Sequence, residues 1–242
     1  GAENSLAITM IYPHGDIESL GADIFAVRGS IRINPLMRIS RNMAIVREGN
    51  ELTLVNPIRL RPEIEKKLTQ FGEIKNIIRL GAFHGVDDPY YVNKFEAQFW
   101  SQPDGKTYTE PLIDIEIGIG GLIPTSDSEF FEFSGTKQPE CALLLKRGKG
   151  ILLTCDSIQH YGNYSYNNWI AKLVMPRIGF PKSTIVGPIW LKMMTPEGAS
   201  LEMEFRRLLK LKFDQLFAAH GTFLEKDAHE AVRTAVKNTF SN

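Results

Sequence analysis

Residues 74–89 read Ile74-Lys75-Asn76-Ile77-Ile78-Arg79-Leu80-Gly81-Ala82-Phe83-His84-Gly85-Val86-Asp87-Asp88-Pro89. The first seven are β-branched and apolar enough to predict a buried strand. Gly81 ends it, and a polar loop follows that sets His84, Asp87 and Asp88 just beyond the strand's C-terminal end. A buried strand fixes its last residues rigidly while the loop beyond exposes side chains, the combination that metal binding and acid–base chemistry both need. Arg79 interrupts the apolar pattern; buried, it would need a partner, and exposure at a strand edge is the simpler expectation.

Working towards the N-terminus, Ile24-Phe25-Ala26-Val27, Met43-Ala44-Ile45-Val46-Arg47 and Leu52-Thr53-Leu54-Val55 read as strands. Glu48-Gly49-Asn50 between the last two is a hairpin turn, because Gly and Asn tolerate positive φ. Asn56-Pro57 stops the strand, and Pro62 to Phe71 is a helix with Ile64, Leu68 and Phe71 on one face. Residues 1–20 are left as a loose N-terminal segment of a single domain spanning 1–242, with His14 assigned no role.

Towards the C-terminus, Tyr90 to Phe99 reads as a short helix, and Ser101 to Thr125 as a turn-rich segment with a mobile Gly118–Gly121 cluster. Phe130–Phe133, Cys141–Lys146 and Ile151–Thr154 are strands, the last ending at Asp156. The aromatic-rich stretch around Tyr161, Tyr164, Tyr166 and Trp169 packs a loop or lines a pocket. Glu197 to Lys212 is an amphipathic helix. Asp214 to Ala219 is a strand ended by His220-Gly221, and a closing helix over about 225–240 carries His229 on its surface. Two strand clusters with helices after the first and at the end predict an α/β protein of four layers, αββα.

The 242 residues carry 28 Lys plus Arg against 28 Asp plus Glu, so no excess of positive charge points to nucleic acid or anionic lipid. No apolar run approaches the roughly eighteen residues that span a bilayer. Two cysteines, Cys141 and Cys155, make neither a disulfide scaffold nor a cysteine zinc site, and read as buried thiols. The chain starts at Gly1 without methionine, so a leader removed upstream is compatible with export, and cytoplasmic and exported locations both stand.

His84 with Asp88, Asp156 and His220 each stand beyond the end of an apolar strand. Two imidazoles and two carboxylates make an N2O2 set suited to Zn, Fe or Mn. Taken in order, these segments resemble the metallo-β-lactamase-fold superfamily, whose His-x-His-x-Asp-His loop is similar to His84-Gly85-Val86-Asp87-Asp88-Pro89. The resemblance places Val86 and Pro89 where two histidine ligands would be, and Thr136, in Ser134-Gly135-Thr136-Lys137, where another would be. Asp156 in Thr154-Cys155-Asp156-Ser157 resembles the metal-bridging aspartate and His220 the last histidine. The opening hairpin, with Asn56 in place of an aspartate, resembles a metal-poor branch.

What the resemblance implies is a hydrolase acting on a small molecule through one divalent metal held by His84, Asp88, Asp156 and His220. His84 and Asp88 would double as catalytic groups, with Asp87 and His160 nearby. The rival is a non-catalytic scaffold of the same fold that binds a ligand or protein partner, favoured by the three lost ligands.

Overall fold

A computed structural model describes residues 10–241. Seven strands form one mixed sheet in chain order: β1 (His14–Gly21), β2 (Ile24–Arg32), β3 (Arg38–Glu48), β4 (Glu51–Val55), β5 (Glu73–Ile78), β6 (Gln98–Ser101) and β7 (Ile115–Glu116). A second sheet has the order β13 (Gln215–Ala218), β10 (Ile151–Thr154), β9 (Cys141–Leu145), β8 (Ser128–Glu132), with β10 and β13 parallel. A small third sheet pairs β11 (Ile158–His160) with β12 (Thr184–Val186).

Strand alternation builds the layers. Ala44 and Val46 of β3 turn inward to meet Cys141, Leu143 and Leu145 of β9, forming the core between the two main sheets. Met43 and Ile45 turn the other way, onto helix α1 (Pro62–Phe71) and helix α2 (Asp88–Phe95), where Ile64, Leu68 and Tyr91 cover them. Ala142 and Leu144 of β9 face Trp190 and Met194 of α4 (Pro188–Met194), Phe205 of α5 (Glu202–Leu208) and Val232 of α6 (Ala228–Phe240). Three apolar interfaces separate four layers, so the αββα expectation holds. Both sheets are buried on both faces, which is why β9 and β10 read as unbroken apolar runs rather than alternating ones. The two cysteines are buried and free.

Gly49 turns the β3–β4 hairpin with φ of 60°, and α1 spans the expected residues. Elsewhere local signals were overruled. The N-terminal segment is not loose from 14 onwards: β1 pairs with β2, and the buried His14 Nε2 accepts the Arg61 N–H at 2.8 Å. Its earlier part, residues 1–9, lies outside the described residues. The helix expected to reach Phe99 stops at Phe95, where Glu96 adopts φ of 52°, and Phe99 sits in β6. The helix expected from Glu197 starts only at Glu202, because Gly198 is left-handed, with φ of 76°. His229 is half-buried, with Nε2 at 2.6 Å from the Leu209 carbonyl. Between α3 (Trp169–Val174) and β12 runs a short 3-10 turn, Met175–Arg177. No helix among the described residues is long and apolar enough to cross a membrane.

Candidate metal centre

Three strand ends converge. The loop after β5 is pinned to the start of β9 by the Cys141 N–H to Leu80 carbonyl bond at 2.8 Å, and it carries His84. The loop after β10 carries Asp156, whose N–H and that of Ser157 donate to Glu140 Oε2 at 3.1 and 3.2 Å. The turn after β13 carries His220. It is held against β3 by Asn42, which donates to the Ala218 and Gly221 carbonyls at 3.0 Å each, and by Ser40 Oγ, which accepts from the Gly221 N–H at 2.8 Å. Gly221 has φ of 88° and packs directly against the His160 backbone, so no side chain fits there.

The result is a triangle of ligand atoms. His84 Nε2 lies 2.9 Å from Asp156 Oδ1, His220 Nε2 lies 3.1 Å from the same oxygen, and the two nitrogens are 3.0 Å apart. All three side chains are largely buried, with 12–14% exposed. They are the group of His, Cys, Asp and Glu side chains among the described residues that could hold a metal ion.

Counting protons shows what the triangle needs. His220 Nδ1 is 2.5 Å from the Ser40 carbonyl oxygen, which only accepts, so Nδ1 carries the hydrogen. In the neutral ring Nε2 then presents a lone pair to the other two atoms, the tautomer of a metal ligand whose remaining N–H is fixed by a carbonyl. A hydrogen on His84 Nε2 satisfies one of its two contacts, and the Asp156–His220 contact remains lone pair against lone pair. Either a proton on His220 or a cation among the three resolves the conflict. Burial works against charge on His220, but the Asp156 carboxylate beside it raises its pKa above the ordinary imidazole value. Burial also opposes ionisation of Asp156, yet the two imidazoles outweigh it and hold that carboxyl well below the usual range. The donor set and its crowding therefore fit a divalent cation.

Asp88 stands apart from the other three. It lines the same cavity, but it is not part of the triangle. Its Oδ2 accepts from Arg79 Nε at 2.8 Å in a buried ion pair, with side-chain exposures of 2% and 8%. Arg79 is thus not at an exposed edge; it spends its other donors on the Tyr108, Gly85 and Glu110 carbonyls and its guanidinium lies 4.9 Å from the Phe99 ring centre. Burial lifts the Asp88 carboxyl to about 6, with Arg79 pulling the other way. Nor does Asp88 cap α2, which makes no side-chain cap bond at its N-cap, Asp87. Asp87 forms a second buried pair, its Oδ2 accepting from Arg41 Nη1 at 2.9 Å and from the Arg59 N–H at 2.8 Å. His160 points elsewhere, with Nδ1 at 2.8 Å from Thr184 Oγ1. Thr136 Oγ1 donates to the Gln138 carbonyl and lines none of the cavity, whereas Val86 does line it.

Glu140 escaped sequence reading. It is fully buried, and burial followed by the Asp156 charge pushes its carboxyl far above the ordinary value. A signal existed: an acidic residue immediately before Cys141–Leu145, a run too apolar to be anything but buried.

No family model and no curated protein matches the sequence. Solved structures do. The metallo-β-lactamase DIM-1 superposes with a TM-score of 0.64 at 10% identity, over 95% of this chain and 100% of that one. The metallo-β-lactamase FIM-1 from Pseudomonas aeruginosa, in its mono-zinc form, gives 0.59 at 12% identity over 96% and 98%. The metallo-β-lactamase from Pontibacter korlensis gives 0.59 at 10% over 92% and 99%. With two sheets packed between helical layers and the triangle at the strand ends, the chain has the metallo-β-lactamase fold.

Proposed function

We propose that the protein is a metal-dependent hydrolase with a single-cation site formed by His84, Asp156 and His220. The observation that carries this reading is the mutual approach of three ligand atoms, 2.9–3.1 Å apart, at the floor of a cavity of about 500 Å³. His84 Nε2, His220 Nε2 and one Asp156 oxygen would hold the ion, a set that suits Zn, Fe or Mn. A bound divalent cation supplies a polarising centre and a water acidic enough to ionise near neutral pH.

The chain's own residues do the rest. The Ser40 carbonyl keeps the proton on His220 Nδ1 and leaves Nε2 free to ligate. Glu140 fixes the backbone that carries Asp156. Asp88 anchors Arg79 and is assigned no ligand role. The losses at Val86, Pro89 and Thr136 favour the rival reading, a scaffold that binds without catalysing.

Elemental analysis of protein purified without chelator, with activity on p-nitrophenyl acetate and bis(p-nitrophenyl) phosphate, separates them. The proposal expects bound transition metal, lost together with activity in the D156A/H220A double variant. Protein that takes up no zinc, and a double variant indistinguishable from wild type, would refute it.

A further inference from the structure

The cavity over the triangle has a polar floor and two apolar walls. One wall is the β2–β3 hairpin, with Ile31, Ile33 and Met37; the other is the 3-10 turn and α4, with Met175, Ile178 and Met193. At the mouth Ile33, Ile178 and Met193 are about half exposed, at 53%, 48% and 51%. Two polar side chains within the walls are already committed, while Asn56 Oδ1 has no partner. Tyr161 donates to Gln159 Oε1 at 2.7 Å, and the Gln159 amide donates to the Asp156 carbonyl at 2.9 Å. Two cations of the lining are committed, Arg41 to Asp87 and Arg79 to Asp88, while Arg32 at the rim donates to the Pro35 carbonyl and forms no ion pair among the described residues. A heavily hydroxylated ligand would lose its hydration between the two apolar walls and recover few hydrogen bonds there. Methionine and isoleucine form the mouth and much of both walls, with Phe83, Phe180 and Trp190 among them, and the adaptable methionines suit a flexible aliphatic chain.

We infer that the cavity binds neutral esters of unbranched aliphatic acids, with the ester carbonyl over His84, Asp156 and His220 and the acyl chain between the hairpin and α4. The chemical part rests on the hydrolytic reading above. Water adds through oxygen to the acyl carbon, the acyl C–O bond breaks, and the water's proton leaves with the alcohol, giving acid and alcohol.

The test pairs turnover with binding, using zinc-loaded full-length protein. Across p-nitrophenyl acetate, butyrate and octanoate, kcat/KM should climb, with a ceiling of about fourfold per buried methylene and at least about tenfold overall. In an I178E/M193E variant, whose changes fall at half-exposed positions, the octanoate-to-acetate ratio should collapse. Methyl octyl ketone, which cannot be hydrolysed, should bind wild type by calorimetry and bind the variant at least about tenfold more weakly. Ketone binding with no ester turnover would remove the hydrolase reading and keep the cavity assignment. Turnover independent of chain length, with no ketone binding, would overturn the cavity assignment and leave the hydrolase reading standing.

Discussion

Replacing Arg79 by methionine strands the Asp88 carboxyl, which is 1% exposed, without its cation. An arginine at hydrogen-bond distance lowers a carboxylate's pKa by about 1–3 units, and each unit is worth about 1.4 kcal/mol. Removing it should therefore lift Asp88 from its value of about 6 and cost on the order of 3 kcal/mol at pH 8, where wild-type Asp88 is ionised. The orphaned Tyr108 and Glu110 carbonyls add a part that does not vary with pH. The sign follows from linkage. A carboxyl whose folded pKa lies above its unfolded one favours folding most when protonated, below about pH 4, and that contribution fades as pH rises through the folded pKa. In R79M the fading is larger and extends to higher pH, so the variant should lose ground on wild type between pH 5 and pH 8. Urea unfolding at the two pH values measures it, with a midpoint shift of roughly 1 M more at pH 8 for a slope of about 3 kcal/mol/M. An equal cost at both pH values would refute the assignment of Asp88 as Arg79's buried counter-ion.

Other consequences follow from the same geometry. Chelator should lower the melting temperature of zinc-loaded wild type by roughly 5–11 °C, since an ion at a hundred times its Kd contributes about 2.7 kcal/mol and each kcal/mol is worth about 2–4 °C in a chain of this size, and should leave D156A/H220A unmoved; differential scanning calorimetry reads this. D88N should keep its zinc stoichiometry by elemental analysis, whereas D156N should lose it. E140A leaves the Asp156 and Ser157 N–H groups without their acceptor and should cost about 2–4 kcal/mol in urea unfolding, while E140Q, which retains a carbonyl oxygen there, should cost markedly less. G221A puts a side chain into the His160 backbone at a φ of 88° and should destabilise by more than about 1 kcal/mol while weakening zinc binding in a competition titration.

What the sequence determined is what adjacent residues decide among themselves. The β3–β4 hairpin, the helix opened by Pro62, the apolar strands β9 and β10, and the position of His84, Asp156 and His220 just past strand ends all follow from periodicity and turn chemistry. The order of those segments carried the four-layer architecture. Which of the polar side chains meet was decided by tertiary structure. Asp88 and Asp156 are the same residue type and read alike in the sequence, each following an apolar strand, although Asp88 opens helix α2. One faces the guanidinium of Arg79, the residue just past β5, and the other faces two imidazoles, because the first follows the end of β5 in the seven-stranded sheet and the second the end of β10, in the sheet whose β13 ends beside His220. Burial decides the remainder: a charge brought out of water takes the partner that the packed layers set beside it, and a neighbour 72 or 136 positions away along the chain leaves no trace in local spacing.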